Sequence, residues 1–115
     1  MKLYGIPNCD TVKKARTWLT GQGHEYDWHD FKKEGVDAAL LQSWVNAIGW
    51  EPLLNRQGTT WRKLDDATQA GVTDAASAIA VMQANPSVIK RPVLDRDGKI
   101  SVGFKPEQYQ TLFAD

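Results

Sequence analysis

The 115-residue sequence has almost no cysteine and no excess of positive or negative charge. There is one cysteine, Cys9, and 14 basic side chains balance 14 acidic ones. A single cysteine excludes an internal disulfide framework and a zinc site built from several thiolates of one chain. Balanced charge gives no broad attraction to nucleic acid or to a membrane, so any basic site must be local.

Long apolar runs are also missing. No stretch approaches the roughly 20 apolar residues of a membrane span. The opening segment MKLYGIPNCD has one lysine, an early proline and no apolar signal-peptide core. Together with the single cysteine, these absences predict a cytoplasmic protein with no membrane partner, because cytoplasmic thiols stay reduced. The length and the 42% content of hydrophobic residues predict one domain, which we expect to be a monomer.

The N-terminal part of the chain has the pattern of a strand, a helix and a second strand. Residues 2–6 are largely apolar and predict a strand, which Pro7 stops because proline cannot donate to a ladder. Helical spacing of apolar residues predicts a helix over 10–20, and alternation predicts a strand over 24–28. A strand–helix–strand start favours parallel pairing. The positions behind these predictions are Val12, Ala15 and Leu19 in the helix and His24, Tyr26 and Trp28 in the strand.

The rest of the chain is predicted to form a helical insertion and then two strands and a helix. The insertion covers about 35–85 and includes a helix capped by Thr73. The Asp97-Gly98 pair between two apolar runs predicts a β-hairpin, and Pro106 suits the first turn of a last helix. The order β-α-β, helical insertion, β-β-α predicts an α/β fold, thioredoxin-like, with a mixed sheet.

Cys9 stands between the first predicted strand and helix. Free N–H groups and the positive end of the helix dipole favour a thiolate there, and the thiolate is the nucleophilic form. A buried structural cysteine is the alternative, although Cys9 follows Pro7-Asn8 in a turn rather than an apolar stripe. Val12 occupies the place of a second cysteine three residues later. A disulfide formed on Cys9 would therefore need an outside thiol to resolve it.

Three of the basic residues outside the predicted helices are candidates for a site beside Cys9. Arg56 is in a polar loop, Arg91 precedes Pro92, and Lys105 follows the second hairpin strand. Taken singly, each of these residues is typical of a solvated surface charge. If they converged on Cys9, they would lower the pKa of its thiol and bind an anion. The two histidines have no cluster of cysteines or carboxylates beside them, so no metal site is predicted.

Four motifs stand in order along the chain: YGIPNCDT at 4–11, NRQG at 55–58 with Trp61, KRPV at 90–93 and GFKPE at 103–107. Together they resemble the arsenate reductase (ArsC) family. Within it the sequence is most similar to the YffB-like branch, which has the Spx regulators as relatives. The resemblance spans essentially the whole chain and implies a thioredoxin-like fold with a helical insertion.

The resemblance also implies roles for single residues. Cys9 matches the nucleophile of the family's arsenate reductases, and Arg56 and Arg91 match two of the three arginines that hold the oxyanion there. The third arginine falls on Lys105, which keeps the charge but loses the bidentate fork. In a thioredoxin-like sheet the proline at the start of the third strand is cis and faces the cysteine, which implies a cis Pro92.

The leading hypothesis is a glutathione-dependent monothiol reductase. The Cys9 thiolate attacks a mixed disulfide or a small oxidised substrate, no cofactor stays bound, and glutathione is the co-substrate, with glutaredoxin as a further partner. The alternatives are a glutathione/glutaredoxin-coupled arsenate reductase and an Spx-like interaction module for transcription. The predicted substrate- or anion-binding residues are Asn8, Arg56, Arg91, Pro92 and Lys105.

Overall fold

The computed structural model describes residues 1–114, which form two compact units. The first unit comprises Met1–Asp30 and the chain from Arg91 onward, and the second comprises Phe31–Lys90. The second unit is longer at both ends than the insertion expected over about 35–85. The assignment of the whole chain to a single domain stays a prediction.

The elements alternate in type in the first unit and are helical in the second. Four strands form one sheet in the order β2-β1-β3-β4, with β1 parallel to β2, β1 antiparallel to β3, and β3 antiparallel to β4. The predicted order β-α-β, helices, β-β-α and the mixed sheet are confirmed. In chain order the elements are β1 (Lys2–Gly5), α1 (Asp10–Gly21), β2 (Asp27–Asp30), α2 (Phe31–Glu34), α3 (Ala38–Ile48), α4 (Thr59–Lys63), α5 (Asp66–Ala70), α6 (Ala75–Ala84), a 3₁₀ helix (Pro86–Val88), β3 (Val93–Arg96), β4 (Lys99–Val102) and α7 (Pro106–Phe113).

The core of the first unit joins both ends of the chain. Leu3 of β1 and Leu94 of β3 lie opposite each other, and both are almost wholly buried. Ala15 and Leu19 of α1 and Tyr109 of α7 complete this cluster. Burial of a leucine-sized side chain contributes about 1.5–3 kcal/mol. The helical spacing that predicted α1 therefore marks the face that packs on the sheet.

The hairpin that joins β3 to β4 is confirmed in position and turn chemistry. Asp97 and Gly98 both have positive φ, 55° and 88°, as a type I′ turn requires. The N–H of Gly98 donates to the Asp95 carboxylate at 2.9 Å. The last helix begins at Pro106 as predicted.

The second strand starts later than predicted. It begins at Asp27, and His24 lies outside it. The N–H groups of Gly23 and His24 still donate to carbonyl oxygens of α1 at 3.0 and 2.9 Å. These residues therefore satisfy the free carbonyl groups at the C-terminus of the helix. The His24 ring stacks on Phe113 at 4.1 Å. Alternating aromatic residues thus reflected ring packing as well as strand parity.

The second unit corrects one predicted helix cap. Asp74, rather than Thr73, is the N-cap of α6, and its carboxylate accepts the N–H of Ser77 at 2.9 Å. The hydroxyl of Ser77 accepts the N–H of Asp74 in return. This reciprocal capping box satisfies two donors at once, which a threonine one residue earlier cannot do. No helix formed by residues 1–114 is long and apolar enough to cross a bilayer.

Gly5 permits a close approach at the end of β1. A Cβ atom built on Gly5 would lie 2.9 Å from a methyl group of Val12 and 3.4 Å from the Trp28 ring. Contacts that short force a neighbour to move. Glycine at this position therefore lets the first turn of α1 pack against the strand.

We expect Gly5→Ala to lower the free energy of unfolding by about 1–3 kcal/mol, because the new methyl group overpacks against Val12. Urea unfolding monitored by circular dichroism measures this. Gly21→Ala is the matched control, since nothing lies within 4 Å of a Cβ added there. In a double-mutant cycle, Val12→Ala should offset part of the Gly5→Ala loss. Strict additivity of the two changes would contradict the proposed contact.

Candidate functional site

The chain places Cys9 at the N-terminus of α1. After β1 ends, Pro7 and Asn8 form a turn, and Cys9 takes an extended conformation as the N-cap residue (φ −113°, ψ 122°). Its carbonyl oxygen accepts the N–H of Lys13 at 2.9 Å, the first hydrogen bond of the helix. The side chain is half-buried. The thiol thus stands at the positive end of a three-turn helix and remains accessible.

Opposing effects act on the pKa of the Cys9 thiol, and the effects that lower the pKa together exceed the one that raises it. Partial burial raises the pKa, whereas the backbone N–H of Val12, the Arg91 side chain and the backbone N–H of Thr11 lower it. Arg91 acts through both a hydrogen bond and its positive charge. Both N–H groups stabilise the thiolate from the first turn of α1. The net effect is a thiol whose pKa lies below its usual value.

Arg91 and Pro92 stand at the start of β3. The peptide bond between them is cis, as predicted. Pro92 is buried, and its carbonyl oxygen accepts the N–H of Gly103 at 2.9 Å. This bond and the pairing of β3 with β1 hold the segment from which the Arg91 side chain reaches Cys9. A direct contact between Pro92 and Cys9 stays a prediction.

Asn8 and Lys105 are both exposed. Asn8 directly precedes Cys9 in the turn. Lys105 is the N-cap residue of α7 and lines an open cleft of about 580 Å³ together with residues of α1 that include Lys13 and Lys14. Cys9 does not line this cleft. The convergence of Lys105 on the thiol, and the contact of Asn8 with a substrate, stay predictions.

Arg56 lies in the second unit, so its predicted convergence with Cys9 of the first unit stays a prediction. The exposed guanidinium carbon is 5.8 Å from the ring centres of both Trp50 and Trp61. Asn55 fixes the loop, because its N–H donates to Val88 at 2.8 Å and its side-chain oxygen accepts the N–H of Gln57 at 3.1 Å. The two indole rings and this turn position Arg56 as an exposed, oriented cation.

Sequence reasoning did not single out the contributions of Thr11 and Val12 to the site. Both act through backbone N–H groups, so their side chains carry no signal. The detectable signal was positional: residues two and three of any helix present free N–H groups to its N-cap. Within residues 1–114, no group of three or more histidine, cysteine, aspartate or glutamate side chains could hold a metal ion.

Comparison with known proteins agrees with this architecture. The ArsC family model matches residues 4–112. A protein of Haemophilus influenzae with no assigned function is 42% identical over 112 residues, with 97% of each chain covered. The solved structure of the YffB protein is 52% identical, superposes with a TM-score of 0.92 and covers 98% of each chain. An arsenate reductase (ArsC) related protein from Brucella melitensis is 55% identical, with a TM-score of 0.76 and coverage of 97% of this chain and 92% of its own.

Transcriptional regulators are also similar to this chain, at lower identity. The global transcriptional regulator Spx of Streptococcus pyogenes is 24% identical over 115 residues, which is 97% of this chain and 84% of the regulator. These comparisons confirm the predicted family resemblance and the thioredoxin-like fold class.

We expect the alkylation rate of Cys9 by iodoacetamide to rise with pH at a midpoint below that of the urea-unfolded chain. Arg91→Ala should move this midpoint upward, because it removes a hydrogen bond and a positive charge from the thiolate. Lys90→Ala removes an exposed neighbouring charge and serves as the control. A midpoint equal to that of the unfolded chain would contradict the activated thiolate.

The same shift predicts a pH-dependent stability. Because the folded pKa of Cys9 lies below the unfolded one, the thiolate stabilises the fold fully above the unfolded pKa. This contribution is lost as pH falls through the folded pKa. Urea titrations of the native protein and Cys9→Ser across that window measure the effect. The stability difference between the two should widen with rising pH, and a constant difference would contradict it.

Proposed function

Because the chain belongs to the ArsC family, we propose that it is a glutathione-dependent monothiol reductase of the cytoplasm, with Cys9 as its nucleophile. The observation that carries the proposal is the lowered pKa of Cys9, a half-buried thiol at the start of α1 beside Arg91. Cys9 is the sole cysteine of the chain. The reaction must therefore pass through a bond to an outside thiol.

The proposed reaction is two successive thiol–disulfide exchanges. The Cys9 thiolate attacks the glutathione sulfur of a mixed disulfide between a substrate thiol and glutathione. A bond forms between Cys9 and glutathione, the original disulfide breaks, and the substrate leaves as a thiolate that takes up a proton. A second glutathione, as its thiolate, then attacks the sulfur of the bound glutathione. Glutathione disulfide is released and Cys9 returns to its thiolate, so the substrate thiol is freed and one reduced glutathione is oxidised, the other half of the glutathione disulfide having come from the mixed disulfide.

The basic residues supply the charge that this chemistry requires. Arg91 stabilises the Cys9 thiolate in the resting protein and, in the proposal, the anionic leaving group in the first exchange. Arg56 and Lys105 are proposed to hold carboxylates of the substrate or of glutathione. Asn8 and Pro92 are proposed to border the bound disulfide, since each adjoins one member of the Cys9–Arg91 pair in the sequence.

Arsenate reduction is a second candidate, which the naming of the Brucella melitensis relative favours. In this reaction the Cys9 thiolate would displace hydroxide from arsenate, glutathione with glutaredoxin would supply the two electrons that reduce the arsenic, and the three basic residues would hold the oxyanion. Lys105 weakens this candidate, because an ammonium group acts as a point charge where a guanidinium donates two parallel hydrogen bonds. The mixed-disulfide reaction needs no such fork.

The similarity to Spx supports a third candidate, an interaction module for transcription. Val12 stands where a second cysteine would complete a Cys-x-x-Cys pair, so such a module would lack a dithiol switch. Co-purification with RNA polymerase, unchanged by Cys9→Ser, would favour this candidate over the enzyme.

We expect the protein to reduce the mixed disulfide of hydroxyethanethiol and glutathione when reduced glutathione is supplied. Cys9→Ser should abolish turnover. Arg91→Ala should lower kcat/KM roughly tenfold to a hundredfold, because a charge-assisted hydrogen bond contributes about 1.5–3 kcal/mol. Lys90→Ala is the control. Mass spectrometry should find a single glutathione on the native chain at Cys9. Modification only after denaturation would identify Cys9 as a structural cysteine and reject the proposal.

We expect weak or absent arsenate reduction by the natural protein, even with glutathione and glutaredoxin present. Lys105→Arg should raise arsenate turnover if Lys105 faces the same anion as Arg91, because it restores a bidentate donor. Lys99→Arg, which changes an exposed lysine of β4 in the same way, is the control. Brisk arsenate turnover by the natural protein would reverse the order of the two enzyme candidates.

A further inference from the structure

The first unit contains an open cleft that Cys9 does not line. It has a volume of about 580 Å³, within the range of sites that hold drug-sized ligands. Residues of α1 form one wall, and the start of α7 with the two residues before it forms the other. The lining residues are Lys13, Lys14, Thr17, Trp18, Phe104, Lys105, Pro106 and Glu107.

The aromatic side chains that line the cleft pack against a buried tyrosine. Trp18 and Phe104 are both half-buried. Their rings pack edge-on against the fully buried Tyr109, with ring centres 5.5 and 4.6 Å away and interplanar angles of 87° and 86°. Edge-to-face is one of the favoured arrangements of aromatic pairs. The cleft therefore offers a preformed apolar surface.

The rim of the cleft is positively charged. Lys13, Lys14 and Lys105 are exposed and outnumber Glu107. The whole chain has no net charge, so this excess is local. Lysines around an apolar floor complement a ligand that presents carboxylates on either side of an apolar group. Glutathione has the carboxylates but no large apolar side chain, whereas an acidic peptide with an aromatic residue has both.

The cleft begins one helical turn from the thiol. The N–H of Lys13 donates to the carbonyl of Cys9 at 2.9 Å, and four residues of helix rise about 6 Å. An extended peptide advances about 3.3–3.6 Å per residue. A peptide whose cysteine is engaged at Cys9 would therefore reach the cleft with the residues about two to four positions away.

We propose that this cleft docks an acidic peptide segment of the disulfide substrate, with an aromatic side chain on Trp18 and Phe104 and flanking carboxylates at the lysine rim. The inference rests on the proposed function for the identity of the substrate, because it assumes a cysteine-containing protein at Cys9. The binding step itself is independent of that chemistry. Docking in the cleft makes the protein selective among glutathionylated proteins.

The first test is binding of fluorescein-labelled peptides in which serine replaces the cysteine. The sequence Glu-Phe-Glu-Ser-Glu-Phe-Glu should raise fluorescence anisotropy, and versions with lysine for glutamate or alanine for phenylalanine should bind less well. Lys14→Glu and Lys13→Glu should each weaken binding about threefold to tenfold, since each removes one attraction and adds a repulsion. Lys99→Glu, outside the cleft, should leave binding unchanged, and added salt should weaken it.

The second test is turnover of two glutathione mixed disulfides. Lys14→Glu should lower kcat/KM for the glutathionylated cysteine form of the acidic peptide and leave that for the hydroxyethanethiol disulfide unchanged. Equal binding of acidic and basic peptides, indifference to both lysine changes, or full displacement of the peptide by reduced glutathione would overturn the docking site. Peptide binding with this pattern, but without turnover of either disulfide, would reject the proposed function and retain the docking site.

Discussion

Strand β1 begins the chain and pairs antiparallel with β3, which lies near its end, so that Leu3 is opposite Leu94. Cys9 follows β1, and Arg91 precedes β3. The pairing therefore carries Arg91 to the thiol from a distant part of the sequence. A slip of one residue would turn the side chains of β3 to the opposite face of the sheet. The activated state of Cys9 thus depends on a register set by burial of the apolar core.

The thiolate environment combines contributions of different origin. The N–H groups of Thr11 and Val12 belong to the start of α1 and come with any helix N-terminus, whereas Arg91 is a long-range addition. Gly5 lets the first turn of α1 lie close to the end of β1, because its missing side chain leaves room for Val12. Partial burial opposes ionisation but leaves the sulfur accessible. A reactive thiol needs this compromise between a stabilised charge and access for substrate.

Helix α1 contributes to the structure and to the proposed site through two faces and its N-terminus. Its buried face packs on the sheet through Ala15 and Leu19, its N-terminus holds the thiol, and its outer face carries Lys13 and Lys14 into the cleft. Short-range patterns predicted the first of these correctly, because helical spacing of apolar residues marks the core side. They misplaced the strand at His24, whose ring stacks on Phe113, since aromatic residues pack on one another as readily as they alternate in a sheet.

Interactions between neighbouring residues were enough to predict four features: the α1 helix, the Asp97-Gly98 hairpin, the start of α7 at Pro106, and the place of Cys9 at a helix N-terminus. The fold, by contrast, is what brings Arg91 to the thiol. Lys105 lies at the rim of a cleft with lysines of α1, and Arg56 lies near two tryptophans of the second unit, so their action on Cys9 stays a prediction. Capping, turns and periodicity act over a few residues, whereas the pKa of a thiol responds to charges within a few ångströms in space, wherever they lie in the chain.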